Sequence, residues 1–84
     1  MPLYFFDLHN DMDAPDAEGQ DLSDLHAAER QALREARQMI AASVTEQGKI
    51  ELRHNIQVRD ESGATVHWVE FEDAVSVQRG GKPV

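Results

Sequence analysis

Acidic side chains crowd the start of the chain, and the run Asp7-Leu8-His9-Asn10-Asp11-Met12-Asp13 has the spacing that would suit a cation. A calcium loop of the EF-hand kind needs oxygen ligands at alternate positions, a glycine at the sixth and a glutamate at the twelfth. Counted from Asp7, Glu18 stands twelfth, but Met12 occupies the glycine position. Counted from Asp11, Pro15 falls fifth and Leu22 twelfth. Neither frame makes a loop, so a solvated acidic segment is expected.

The other reactive side chains are as sparse in pattern. No two of His9, His26, His54 and His67 stand four residues apart, and there is no His-Glu-x-x-His pair for zinc. There is no cysteine, which removes thiolate chemistry, disulfides and thiolate zinc sites together. Ser23, Ser43, Ser62 and Ser76 sit outside any Gly-x-Ser-x-Gly elbow, and no glycine-rich phosphate loop occurs. The expectation is a protein that is not an enzyme, with no catalytic residue, no cofactor and no metal. One cationic pattern stands out. His26, Arg30, Arg34 and Arg37 follow one another at helical spacing, so a helix would carry Arg30, Arg34 and Arg37 on one face as a stripe for an anionic partner. Glu29 and Glu35 beside it dilute that field, and an ordinary charged outer face has the same look.

The element that must carry the stripe is a long amphipathic helix over about residues 23–47. Leu25, Ala28, Ala32, Leu33, Ala36, Met39, Ile40 and Val44 recur at three- and four-residue spacing. Ser23 is the expected N-cap and Gly48 the left-handed residue that ends the helix. At about 1.5 Å per residue the helix is roughly 35 Å long and should overhang a sheet at one end.

Before the helix, Leu3-Tyr4-Phe5-Phe6-Asp7-Leu8-His9 reads as a strand, Asn10–Asp16 as a turn, and Ala17–Asp21 as a weak return strand bent at Gly19. After it, Asn55–Arg59 and Ala64–Phe71 alternate around Asp60-Glu61-Ser62-Gly63, the clearest hairpin in the chain. Lys49–His54 reads either as a strand or as a packed connector, and Asp73–Val77 as a final edge. The fold class is therefore α+β, ββαββ, with one long helix on one face of a small antiparallel or mixed sheet. Residues 1–77 form a single domain, and residues 78–84 a flexible C-terminal tail.

Net charge is −8 over 84 residues, and its distribution is uneven. Residues 1–25 hold seven acids and no Lys or Arg, whereas the rest of the chain is close to balance. That arm opposes nucleic-acid and anionic-membrane binding. No stretch reaches the roughly 18 apolar residues of a membrane span, and the opening residues lack a basic leader, so the cytoplasm is the expected compartment.

A lone helix leaves the second face of the sheet uncovered. Side chains alternate along a strand, so Phe6 and Leu8 facing the helix would turn Leu3 and Phe5 away. Val69 and Phe71 facing it would turn Trp68 and Glu70 away. Leu3, Phe5, Val66 and Trp68 are the candidate interface on that face. A chain this short buries only about 60–65% of its unfolded surface, so a partner would add needed stability. A homodimer through this face is the expected assembly.

The same residues resemble a family of short bacterial proteins of unknown function. The likeness runs through Tyr4-Phe5-Phe6, the Asp-x-x-Gly element Asp16 to Gly19, and the helix positions Leu25, Ala28, Ala32 and Ala36. It continues through Asp60-Glu61, Gly63, Phe71, Asp73 and Ala74, spanning about residues 3–77. Glu70 stands where the family often has proline, and Asn10-Asp11 where glycine usually follows the first strand. The resemblance implies no activity or cofactor. The strand–strand–helix opening is more loosely similar to antitoxin domains of the HicB type. The expectation is thus a non-catalytic, self-associating interaction module. The alternative is an antitoxin-like regulator that contacts nucleic acid or a toxin through the helix.

Overall fold

A computed structural model describes residues 1–81. Four strands and two helices follow in the order β1 (Leu3–His9), β2 (Gln20–Asp21), α1 (Leu25–Gln47), β3 (Asn55–Arg59), β4 (Thr65–Glu70) and α2 (Phe71–Ala74). The sheet is antiparallel throughout, in the order β2-β1-β3-β4. Its centre is the pairing of β1 with β3, which joins the two hairpins across the length of α1 (Phe6 opposite Val58, Leu8 opposite Ile56).

One helix packs on one face. Ala28, Ala32, Ala36 and Ile40, at strict four-residue spacing, are its buried positions. Alanine here has no side chain to hold the helix off, so α1 lies close on Tyr4, Phe6, Ile56, Val58 and Val69. Leu25, Met39 and Val44 of the expected stripe stay more than a third exposed. Leu25 and Val44 lie near the ends of α1, which outruns strands of seven residues or fewer.

Several boundaries differ from the sequence reading. Asp24, not Ser23, caps α1: its extended backbone lets Oδ1 accept the N–H of Ala27 at 2.8 Å. The far end is as expected. Gly48 takes φ 67°, and the N–H groups of Gly48 and Lys49 donate to the carbonyls of Val44 and Ser43. Residues 49–54 form a connector without a strand, Leu52 packing on the core. The expected edge at Asp73–Val77 is absent: Phe71 and Ala74, both buried and three residues apart, turn the chain into α2. Residues 78–81 of the expected tail are exposed and irregular, and residues 82–84 lie outside the described residues.

The hairpin of β3 and β4 carries a bulge that resets the side-chain alternation. Val58 opposes His67, but Arg59 opposes Thr65, leaving Val66 without a counterpart. Thr65 therefore shares the uncovered face with Trp68, and its hydroxyl accepts from Gln57 Nε2 at 2.6 Å. Val66 packs against the core instead. Strict alternation assigned Val66 to the bare face, and the extra residue overturns that placement.

Candidate functional site

The uncovered face is built from alternate residues of three strands: Leu3, Phe5, Asp7 and His9 of β1, Asn55, Gln57 and Arg59 of β3, and Thr65 and Trp68 of β4. Only part of it is apolar. Its centre is an ion pair that the sequence reading did not find.

Asp7 is buried, and its carboxylate is fully engaged. Arg59 Nε donates to Oδ2 at 2.5 Å and Arg59 Nη2 to Oδ1 at 3.1 Å, while the N–H of Asp16 donates to Oδ1 at 2.8 Å. The guanidinium, ahead of the other contacts, holds the Asp7 carboxyl below the ordinary carboxylate range. Arg59 also lies over the Phe5 ring, 5.0 Å from its centroid, so that aromatic surface is already partnered.

Asp16 explains why β2 is only two residues long. The chain leaves β1, touches it at the Leu8–Ala14 bridge, and rejoins it at Tyr4–Gln20. Between those points the Asp16 side chain takes the place of a backbone carbonyl. Its Oδ2 accepts the N–H of Phe6 at 3.1 Å, and its Oδ1 accepts those of Glu18 and Gly19. Burial opposes ionisation, but the three amide donors outweigh it, and the Asp16 pKa falls below its usual value. Gly19 closes the turn with φ 74° directly against Phe5: a Cβ there would stand 2.9 Å from the ring. The Asp-x-x-Gly element is therefore a local fastening, and the acidic run serves as framework at Asp7 and Asp16.

The other half of the face is a polar chain ending on the tryptophan. His9 Nδ1 lies 3.1 Å from Asp13 Oδ1, and His9 Nε2 lies 2.8 Å from Gln57 Oε1. Both neighbours are acceptors, so both ring nitrogens are placed to donate. The hydrogen bond to Gln57, then that to Asp13, raises the His9 pKa above its ordinary value. The imidazole lies against the Trp68 indole at 5.6 Å between centroids, tilted by 35°. Trp68 remains 50% exposed.

Of the expected interface residues, Leu3 and Phe5 are half-buried on the bare face and Trp68 projects from it, while Val66 does not belong. The aromatics are not contiguous, because Asp7, Arg59 and the His9–Gln57 chain stand between Phe5 and Trp68. The remaining histidines are scattered. His26 is exposed on α1, His54 packs edge-on against Phe71, and His67 lies on the helix side of β4. Among the described residues no group of three His, Asp or Glu is placed to hold a metal ion.

Arg30, Arg34 and Arg37 share the outer flank of α1. Arg30, Leu33, Arg34, Arg37, Gln38 and Ala41 line a shallow groove of about 440 Å³. Arg37 is partly committed, its Nε donating to the carbonyl of Ala74 at 2.7 Å. Glu35 is turned to the opposite flank, where it accepts from Gln20 Nε2 and Gln31 Nε2.

Residues 3–72, from the first residue of β1 into α2, match the family model of a domain of unknown function, DUF6894. The chain belongs to the DUF6894 family. The matched span holds the whole sheet, all of α1 and every member of the Asp7–Arg59–Asp16 network. No curated protein matches the chain, and no solved structure matches it. The looser likeness to antitoxins of the HicB type thus has no support among these matches. Among the described residues no helix is long and apolar enough to cross a membrane.

The Asp7–Arg59 pair escaped the sequence reading because its members are 52 residues apart and meet only through strand pairing. A signal was present. Asp7 is the lone charge within the aromatic strand Tyr4–Leu8, and a charge in such a setting needs an opposite one.

Proposed function

We propose that this protein is a non-catalytic interaction module that self-associates through the uncovered sheet face, with Trp68 at the centre of the contact. The observation that carries the reading is the indole itself. It is half exposed, on the side of the sheet that α1 leaves bare, and braced by an imidazole that two hydrogen bonds hold in place. A large side chain already fixed in one pose loses little freedom on binding, and tryptophan is the residue most enriched at the centres of interfaces. A second copy would offer the same surface about a two-fold axis. Because the face is largely polar around the indole, the expected dimer is weak, with a dissociation constant in the micromolar range (about −8 kcal/mol).

Sedimentation velocity across low to high micromolar concentrations tests the proposal. A concentration-dependent dimer in the native chain, lost in Trp68→Ser with unchanged circular dichroism, is the expected result. A native chain that stays monomeric throughout, or a dimer indifferent to Trp68→Ser, overturns it.

A further inference from the structure

We propose a second surface, independent of self-association: the open edge of β4, with the arginine flank of α1 beside it, accepts an extended acidic segment of a partner protein. β4 is an edge strand with no neighbour beyond it among the described residues. The N–H of Phe71 donates to His54 across the hairpin, so alternation turns the backbone groups of Val69 and His67 towards β3. The N–H and C=O groups of Trp68 and Glu70 then point outwards. Edge strands that are meant to stay unpaired usually carry lysine, proline, an inward charge or a bulge. β4 (TVHWVE) has no lysine or proline, and its single formal charge, Glu70, lies on the face away from the helix. Its bulge falls at Val66, next to the hairpin turn, and leaves His67 to Glu70 in regular pairing.

The helix supplies the selectivity. α1 makes its close approaches to β3, β4 and α2, and Arg37 reaches the carbonyl of Ala74 just past the end of β4. The flank bearing Arg30, Leu33, Arg34 and Arg37 is therefore on the open side of the sheet. Among the described residues Arg30 and Arg34 have no carboxylate within ion-pair distance. Of the chain's own acidic loop, Asp13 pairs with His9 and Asp11 lines a pocket with Arg53 and His54, so neither is engaged with the arginine flank. A strand added to β4 would place every second side chain under the arginines and the others beside Trp68. Acidic residues suit the first set, and uncharged ones suit the second, which would lie near Glu70.

A second copy is the poorer occupant. Two-fold pairing of β4 with β4 keeps both helices on one face of the joined sheet and sets one arginine flank towards the other. That juxtaposition of like charge is unfavourable. A segment with carboxylates at alternate positions meets the same flank with opposite charge and completes the main-chain ladder, as in strand addition generally.

The test uses a capped eight-residue peptide alternating Glu and Val, its counterpart with Lys for Glu, and a single-stranded oligonucleotide. Each is titrated into the full chain while backbone amide shifts are followed. The Glu peptide is expected to bind, to shift the amides of Trp68 and Glu70, and to weaken roughly tenfold at high salt. Arg30→Gln with Arg34→Gln, both exposed positions, should weaken it by a similar factor without changing the fold. The Lys peptide should not bind. Failure of the Glu peptide to bind, equal binding of the Lys peptide, binding that leaves Trp68 and Glu70 unmoved, or indifference to the arginine changes overturns the proposal. So does a preference for the oligonucleotide. Trp68→Ser, which keeps the backbone edge but removes one packing neighbour of the added strand, separates this surface from the self-association contact: dimerisation is lost, whereas peptide binding persists, weakened, and keeps its dependence on Arg30 and Arg34.

Discussion

Asp7→Asn removes one charge and almost no volume, so it isolates the electrostatic role of the network under the uncovered face. In the native chain the carboxylate accepts two hydrogen bonds from Arg59 and one from the Asp16 amide. The carboxamide keeps a single acceptor oxygen, and its NH2 group would confront the Arg59 donors. Each charge-assisted hydrogen bond lost contributes about 1.5–3 kcal/mol. Arg59 is 27% exposed and recovers part of that loss from water. The expected destabilisation is about 3 kcal/mol, near the lower end of the range for breaking a buried pair. A domain of this size has roughly 4–12 kcal/mol in total, so the midpoint of thermal unfolding should fall by about 12–24 °C. Urea unfolding followed by far-ultraviolet circular dichroism at neutral pH measures the difference directly. The pH dependence adds an independent check. The folded-state pKa of Asp7 is lowered from its ordinary 3.8, so its contribution is fully present above that value and is lost as pH falls through the folded pKa. The gap between native and Asp7→Asn proteins should therefore narrow below about pH 4. A variant within about 0.5 kcal/mol of the native protein at neutral pH would refute the reasoning, as would a gap that does not narrow in acid. In a double-mutant cycle with Arg59→Met, the two changes together should cost at least about 1 kcal/mol less than their sum.

The glycines separate a steric from a conformational cost. Gly19→Ala meets both a left-handed backbone and the Phe5 ring at 2.9 Å, whereas Gly48→Ala meets the left-handed backbone alone with open space around it. Gly48→Ala should cost about 1 kcal/mol and Gly19→Ala roughly 2–3, read from urea midpoints; equal costs would contradict the packing of Phe5. His9 should titrate above its ordinary 6.5 by proton NMR and move back towards that value in Gln57→Leu, because the Gln57 hydrogen bond is the largest cause of the shift. With a raised folded-state pKa, the stability from His9 is present below 6.5 and lost as pH rises through the folded pKa, opposite in sign to Asp7.

What the sequence determined by itself was local. The period of Leu25, Ala28, Ala32, Leu33, Ala36, Met39, Ile40 and Val44 dictated a helix, because spacing along one helix needs no other part of the chain, while packing on the sheet selected Ala28, Ala32, Ala36 and Ile40 as its buried line. Alternation around Asp60–Gly63 dictated a hairpin, and Gly48 an end to α1, for the same reason. The lone helix over a small antiparallel or mixed sheet followed from those elements, and so did the placement of Leu3, Phe5 and Trp68 on its bare side; strand pairing made the sheet antiparallel throughout. Tertiary structure decided whatever depends on which strands meet. Joining β1 to β3 brought Arg59 to Asp7, so the first residue of an acidic run expected to be solvated is instead buried in a framework ion pair. A single unpaired residue in β4 moved Val66 from the bare face into contact with the core, which no alternation rule foresees. The order β2-β1-β3-β4 set the open edge on the side of the arginine flank, because hydrogen-bond partners chosen across 50 residues, and not local spacing, determine where a sheet ends.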